Sequence, residues 1–228
     1  MAENWFLLHS GKARAGFNMA LDEALLESAA QRAQPVLRFY GWTEPAATFG
    51  YAQRIREVSL WTPLRPLIRR PTGGGLVPHD ADWTYSLAFP PRHAWFGLKA
   101  VESYQRLHEW IHAAFASLGI QTELSPLENK PAPGRCFIGA ERFDLLRAGV
   151  KIAGAAQRRN RQGLLIQGSV QPGQCGCDRD EWASAMLASG SNMDGMGWEP
   201  LVVDQTLSGR AEVLAAEKYS QAWYNERR

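Results

Sequence analysis

The sequence is short of several things, and each shortage excludes a class of protein. It has three cysteines in 228 residues, Cys136, Cys175 and Cys177. That is too few for a secreted disulfide scaffold. A reducing cytoplasm is therefore expected, with any working cysteine a free thiol. Net charge is nearly absent, since 25 Lys and Arg against 23 Asp and Glu leave +2. The basic residues are scattered, so no nucleic-acid partner is expected. No apolar run is long enough to span a bilayer. The opening MAENWFLLHSGK has an early acid and too short an apolar core for a signal peptide, so no membrane partner is expected either. Repeats, low-complexity tracts and clean linkers are missing too, which favours one domain over residues 1–228. What is present is an ordinary globular balance, 45% hydrophobic and 21% charged, with nine tryptophans. Some tryptophans must pack a core; others are candidates to line an apolar ligand channel.

The periodicity predicts a first helix through NMALDEALLESAAQ, with Asn18 as N-cap and Asp22 and Glu23 in the first turns, where the helix dipole favours acids. Leu21, Ala24, Leu25 and Ser28 share one face. Short β-like runs follow, PVLRFYGW and AATFGYAQ, split by a turn at Glu44-Pro45. Two more, LRPLIRR and DWTYSLAFP, flank a glycine-rich stretch. A long helix is expected in LKAVESYQRLHEWIHAAFASLG. Tyr104, Leu107, Ile111, Ala114, Phe115 and Leu118 form its buried face, and Gly119 its C′ residue. The chain then returns to β in TELSP, RFDLLRAG, VKIAGAAQRR and GLLIQGSVQ, with a hairpin signal at Ala148-Gly149. DRDEWASAMLAS opens like a capping box at Asp178 and Glu181, and GRAEVLAAEKYSQAWYNE reads as one closing helix. The strands cluster in hairpin-like pairs. The fold class expected is α+β: a mixed, mostly antiparallel sheet flanked by helices.

Two segments carry chemistry. In RRPTGGGLVPHDADWTYSL, residues 69–87, glycines let a ligand approach the main chain and let N–H groups converge on it. Arg69 and Arg70 could supply charge for a carboxylate or phosphate. The spacing is neither that of a phosphate-cradling loop nor that of a dinucleotide turn, and a glycine-rich hairpin bend is the ordinary alternative. His79 and Asp80 are adjacent, so on a strand they face opposite ways. Asp80 is expected to brace the loop while His79 faces a ligand. In the second segment, Cys136 follows the loop KPAPGR, and Lys151 begins a strand with the small residues Ala153, Gly154, Ala155 and Ala156. An ammonium near a thiol activates it as a nucleophile. A buried structural cysteine and a solvated lysine are the plain alternatives. Cys175 and Cys177 lack further ligands at zinc spacing and read as free thiols on a surface loop. His108 and His112 lack accompanying acids and read as a solvated helix face. No metal site is expected.

Three blocks in order resemble the lipoate–protein ligase / octanoyltransferase family, which includes the biotin–protein ligase catalytic domain. They are GFNMALDEALL, RRPTGGGLVPHDADWTYSL and GVKIAGAAQRRNRQGLLIQGS, and the resemblance covers roughly residues 5–171. It implies the same α+β fold; many ligases of the family carry a C-terminal accessory domain, and none is expected in the residues that follow the matched blocks here. It also implies a substrate site at Arg70, Thr72, Gly73, Gly74, Gly75, Leu76, Val77, Pro78, His79, Gly154, Ala155 and Gln157, with the glycine loop along an acyl chain and Lys151 at its reactive end. The implied partners are an octanoyl or lipoyl donor and a lysine on a lipoyl carrier domain, either the glycine cleavage carrier or a 2-oxoacid dehydrogenase subunit.

Two branches of the family share these blocks. In cysteine-dependent transferases the acyl group passes through a thioester, which here implies Cys136 with Lys151 and no cofactor. In ligases ATP and Mg²⁺ make an acyl-adenylate, and Arg69, Arg70 and Lys151 are the cations available for it. The intact triple glycine is similar to ligases, whereas the spacing of Arg135-Cys136-Phe137 is similar to transferases. A non-catalytic acyl-carrier binding module is a third reading. One departure stands out: Gln167-Gly168-Ser169 occupies the place where relatives usually carry histidine, glycine and serine or threonine. Glutamine can hydrogen-bond but cannot titrate near neutral pH.

Overall fold

The computed structural model describes residues 3–129, 134–173 and 175–227. Of the KPAPGR loop expected before Cys136, residues 130–133 lie outside the described residues. Eleven strands are described: β1 Asn4–Ala13, β2 Val36–Trp42, β3 Ala46–Phe49, β4 Leu67–Arg69, β5 Val77–His79, β6 Trp83–Phe89, β7 Glu123–Leu124, β8 Leu145–Arg147, β9 Val150–Asn160, β10 Gly163–Val170 and β11 Gly197–Pro200. Eight form one sheet in the order β11-β1-β2-β6-β10-β9-β8-β7, and β4-β3-β5 form a second. In the large sheet β1 runs parallel to β11 and β2, while the other pairings are antiparallel.

The alternation of side chains along the central strands sets the layers. Leu37 and Phe39 of β2, with Trp83, Tyr85, Leu87 and Phe89 of β6, face one core. There the long helix Ala100–Ser117 and the helix Arg179–Asp194 contribute Trp110, Ile111, Trp182 and Met186. Val36 and Tyr40 of β2 and Ala88 of β6 face the other core. There the first helix, Ala15–Glu27, packs with the tail helix Gln205–Leu214 through Leu21, Leu25, Leu207 and Ala211. The second face also carries a polar row. Arg38 pairs in register with Ser86, and Ser86 with Gln167. All three reach the carboxylate of Asp22 on the first helix: Arg38 at 2.6 Å, Ser86 at 2.6 Å and Gln167 at 2.7 Å. Tyr40 donates a fourth bond at 3.0 Å.

Several expectations hold. Ala148 and Gly149 have φ of 49° and 76° and turn β8 into β9. Asp178 and Glu181 close a capping box, and Gly119 follows the long helix at φ +73°. Others need correction. Asn18 is not a cap: the first helix starts at Ala15, and buried Asn18 donates to the carbonyls of Ala13 and Gly41. Asp22 and Glu23 are buried ion-pair partners, not first-turn acids, with Lys218 2.6 Å from Glu23. β2 and β3 are not a hairpin pair but lie in different sheets, and β1 and β11 went unread. The closing segment starts at Gln205, passes through a π-turn at Ala215–Tyr219 and resumes at Ala222–Asn225. Cys175 is 2% exposed and Cys177 half-buried, both against the aromatic core rather than on a surface loop. His112 is half-buried and bonded to Thr122. His108 is fully buried against Tyr104, not solvated. No group of three or more His, Cys, Asp or Glu among the described residues is placed to hold a metal ion, and no described helix is long and apolar enough to cross a membrane.

Two outcomes are expected. Asp22→Ala leaves Arg38 buried without its counter-charge and should cost about 3–5 kcal/mol of stability, read as a lower urea midpoint. His108 is pushed down from its ordinary 6.5 to about 4 by burial, against the opposing pull of Asp144 and the Tyr104 carbonyl. Above 6.5 both states are neutral there and nothing is gained or lost. As pH falls from 6.5 to about 4 the unfolded chain takes up the proton that the native state refuses, so stability drops by about 3 kcal/mol. His108→Phe should flatten that part of the acid limb in urea unfolding across the window; an unchanged slope would refute the assignment.

Candidate active site

The glycine loop works first as a joint between main chains. A Cβ at Gly50 would lie 1.9 Å from the Gly74 oxygen, and one at Gly75 2.4 Å from the Gly134 oxygen. Bare backbone at these positions lets three segments touch. Leu76 N–H then donates to the Gly134 carbonyl at 2.7 Å, and Cys136 N–H to the Leu76 carbonyl at 3.1 Å. Gln53 fastens the joint, accepting from Gly50 N–H and donating to the Gly134 carbonyl, both at 2.9 Å. The thiol is thereby held against the loop, and Gly75 N–H donates to Cys136 Sγ at 3.1 Å. Arg70 wraps the same loop from within, donating to the carbonyls of Gly73 and Gly75. Burial draws its guanidinium below its ordinary value, opposed by the charge of, and a hydrogen bond to, the Cys136 sulfur.

These elements enclose a cavity of about 330 Å³, in the size range of small-molecule sites. Of the residues expected in the site, Arg70, Gly74, Gly75, Val77, His79, Cys136, Lys151, Gly154 and Ala155 line it. Thr72, Gly73, Leu76, Pro78 and Gln157 are not among its lining residues. Thr72 donates to Gln167, Leu76 packs with Phe49 and Val58, and the Pro78 carbonyl accepts from Gln171. Gln157 bonds Ser103 and the Ala100 carbonyl, and the Gly73 carbonyl is taken by Arg70. No tryptophan lines the cavity; the indoles are used in packing, as where Trp5 meets Trp95, Trp110 and Trp198 edge-on.

Lys151 is nine-tenths buried and ion-paired to Asp144 at 2.7 Å, not a solvated strand-end charge. Gly154 is small for the same reason: a Cβ there would lie 2.8 Å from the Lys151 ammonium. Asp144, fully buried, also accepts from the Tyr104 hydroxyl and from Glu141 N–H at 2.5 Å. Burial and then Asp144 push Tyr104 well above its ordinary value, so it stays a donor. Arg69 is not in the cavity. Its guanidinium donates to the carbonyls of Tyr51, Gln53, Tyr224, Asn225 and Arg227, fastening the chain's last described turn to β4. Asp80, expected to brace the loop, is instead exposed to solvent, and the acid that meets His79 is Asp82, 2.8 Å from Nδ1. The far nitrogen, Nε2, lies 2.8 Å from Thr48 Oγ1. Sequence reasoning missed Gln53, Thr48, Asp82, Tyr104 and Asp144. Asp82 lies inside the segment 69–87 and Asp144 between Cys136 and Lys151, so the signal available was only an acid near residues already singled out.

Residues 14–173 match the model of the lipoyl protein ligase A/B catalytic domain. The octanoyltransferase LipM of Bacillus subtilis (strain 168) is 35% identical over 182 residues, which cover 74% of this chain and 65% of that protein. The chain thus spans a little under two thirds of that relative's length. Two solved structures share the fold. Protein Ta0514 of T. acidophilum with bound lipoic acid has a TM-score of 0.80 at 20% identity, and lipoate-protein ligase A bound with ATP a TM-score of 0.80 at 19%. Each comparison covers 99% of both chains. The matched segment contains the whole cavity wall described above, from Met19 to Ser169, and the chain belongs to the lipoyl protein ligase A/B catalytic domain family.

Proposed function

We propose that the protein transfers an octanoyl or lipoyl group to a lysine of a lipoyl carrier domain through a thioester on Cys136, in the cytoplasm. The observation that carries this reading is the setting of Cys136 Sγ. Of the three cysteines it is the one that lines the cavity, and it faces the Gly75 N–H and the Arg70 guanidinium. Both groups stabilise negative charge on sulfur, whether the sulfur is attacking a donor or leaving an acyl group. The curated relative named octanoyltransferase LipM supports the same reading.

In this reading the donor arrives activated, as an acylated carrier. The thiolate displaces the carrier's leaving group, and the acyl chain lies in the cavity along Gly74, Gly75 and Val77. Lys151, held by Asp144, presents its ammonium to the acyl carbonyl and stabilises the charge that develops on oxygen. The carrier lysine then attacks, forms the amide and releases the thiol. The carrier is the glycine cleavage protein or a 2-oxoacid dehydrogenase subunit. No cofactor is needed, because no activation step remains.

ATP-dependent ligation by the same cavity is less well supported. Of the three cations expected to meet phosphates, Arg69 is occupied by five carbonyls, Lys151 by Asp144 and Arg70 by the glycine loop, while Arg135, which also lines the cavity, faces the Trp61 ring. A binding module would have no use for a thiol held against an N–H donor.

Intact-mass spectrometry of an apo lipoyl carrier domain tests the reading with two donors, an octanoylated carrier without ATP, and free octanoate or lipoate with ATP and Mg²⁺. The carrier should gain an octanoyl mass in the first arm, with an acyl adduct on Cys136. Cys136→Ala should abolish the gain, and Lys151→Ala should slow it about 100-fold. A gain confined to the ATP arm and preserved in Cys136→Ala would establish a ligase instead. No gain in either arm would favour the binding module.

A further inference from the structure

The thioester reading leaves one proton without an owner. A carrier lysine is an ammonium near neutral pH, and its nitrogen must shed two protons to become an amide: one before it can attack, and one as the N–C bond forms, which the departing Cys136 sulfur takes. Gln167, which also lines the cavity, cannot take the first. The other polar groups lining the cavity are poorly suited. Arg70 has no lone pair, and Lys151 is an ammonium paired with Asp144. Tyr40 and Tyr104 are both pushed well above their ordinary value by burial, and each donates to a carboxylate. Glu141 is exposed to solvent.

His79 is different. It is 5% exposed and lines the cavity together with Thr48. The Trp42 ring stacks on it at 3.9 Å between centroids, which fixes the plane of the imidazole. Nδ1 lies 2.8 Å from Asp82 Oδ2, and Nε2 lies 2.8 Å from Thr48 Oγ1. The directions of these bonds follow from counting donors. Asp82 Oδ2 also accepts from Thr84 at 2.9 Å and from Ser169 at 2.7 Å. Each of those hydroxyls receives an N–H in turn, from Trp42 and Gln171, so each must aim its own proton at Asp82. The carboxylate therefore accepts from every neighbour, and Nδ1 carries the imidazole proton. That leaves a lone pair on Nε2. Arg70 donates toward Thr48 Oγ1 at 3.4 Å and accepts nothing, so the Thr48 hydroxyl aims its proton at Nε2. The result is a hydroxyl, an imidazole and a carboxylate in line, with the hydroxyl end at the cavity.

We propose that His79, oriented by Asp82 and reached through the Thr48 hydroxyl, accepts the proton that the carrier ammonium loses to become the amine that attacks the Cys136 thioester. This rests on the transferase reading above. One ammonium proton passes to Thr48 Oγ1 while the Thr48 proton passes to His79 Nε2. The amine lone pair so freed forms the N–C bond. The C–S bond breaks, and sulfur keeps its electron pair, is stabilised by Gly75 N–H and Arg70 as it leaves, and takes the second proton from nitrogen to become the thiol. The imidazolium that forms is stabilised by Asp82 and returns its proton to solvent once the amide has left. Asp82 acts only through His79 and is a positioning residue.

The test separates the two halves of the reaction by intact mass. In His79→Gln, the octanoyl thioester on Cys136 should form and persist, while its transfer to the carrier lysine falls about 100-fold or more. Hydroxylamine, a nucleophile already neutral near pH 7, needs no such acceptor and should discharge the variant's thioester at the wild-type rate. Thr48→Val should show the same split, Thr48→Ser should restore transfer, and Asp82→Asn should slow transfer while leaving discharge by hydroxylamine intact. Wild-type transfer to the carrier in His79→Gln would overturn the proposal. So would an equal loss with lysine and hydroxylamine, which would mark His79 as structural. A wild-type protein that forms no thioester on Cys136 would instead remove the transferase reading, on which the proposal rests.

Discussion

A single buried carboxylate, Asp22, organises this molecule. It sits on the first helix and takes bonds from three adjacent strands, through Arg38 and Tyr40 of β2, Ser86 of β6 and Gln167 of β10. Such a group is tolerable in a core only when every lone pair is answered, and here four donors answer it. The demand works in both directions. The helix must seat over that row, and the strands must hold the register that brings Arg38, Ser86 and Gln167 side by side. A one-residue slip would turn those side chains to the opposite face. Through Gln167 the same network reaches Thr72, at the entrance to the glycine loop.

From that anchor the active-site wall is assembled by close contact rather than by charge. Gly50 meets Gly74, and Gly75 meets Gly134, at distances no side chain would allow. The contacts fix where Cys136 lies and supply the N–H that faces its sulfur. The cations have prior duties. Arg69 fastens the end of the described chain to β4, Arg70 shapes the glycine loop, and Lys151 pairs with Asp144.

The sequence was legible where local chemistry and tertiary context agree. Period-two runs with a two-residue turn marked β8, β9 and β10, because Ala148 and Gly149 can take the left-handed backbone a tight hairpin needs. The capping box at Asp178 and the apolar stripe of Ala100–Ser117 are likewise local signals. It was misleading where burial overrode them. Asn18 and Asp22 have the look of helix-start residues, yet the helix begins earlier and draws both into the core. His108 sits on a helix otherwise rich in polar residues and turns inward. β1 and β11 were missed because a parallel pair joined by most of the chain leaves no hairpin signature.

The sequence by itself determined that this is an α+β domain of the family, and it singled out the glycine loop, Cys136 and Lys151, which the fold brings to one cavity. It could do so because motifs and periodicities are written in consecutive residues. Only the tertiary structure decided the partners: Asp144 for Lys151, Gly75 N–H for the thiol, the tail carbonyls for Arg69, and Asp82 rather than the adjacent Asp80 for His79. The pairings of Gly75 with the thiol and of Arg69 with the tail join residues far apart in the chain. Even across the three-residue step from His79 to Asp82, the choice depends on which way β5 and the following turn aim each side chain. Hydrogen bonds and ion pairs act over about 3 Å, so their partners are set by how the sheet brings distant segments together.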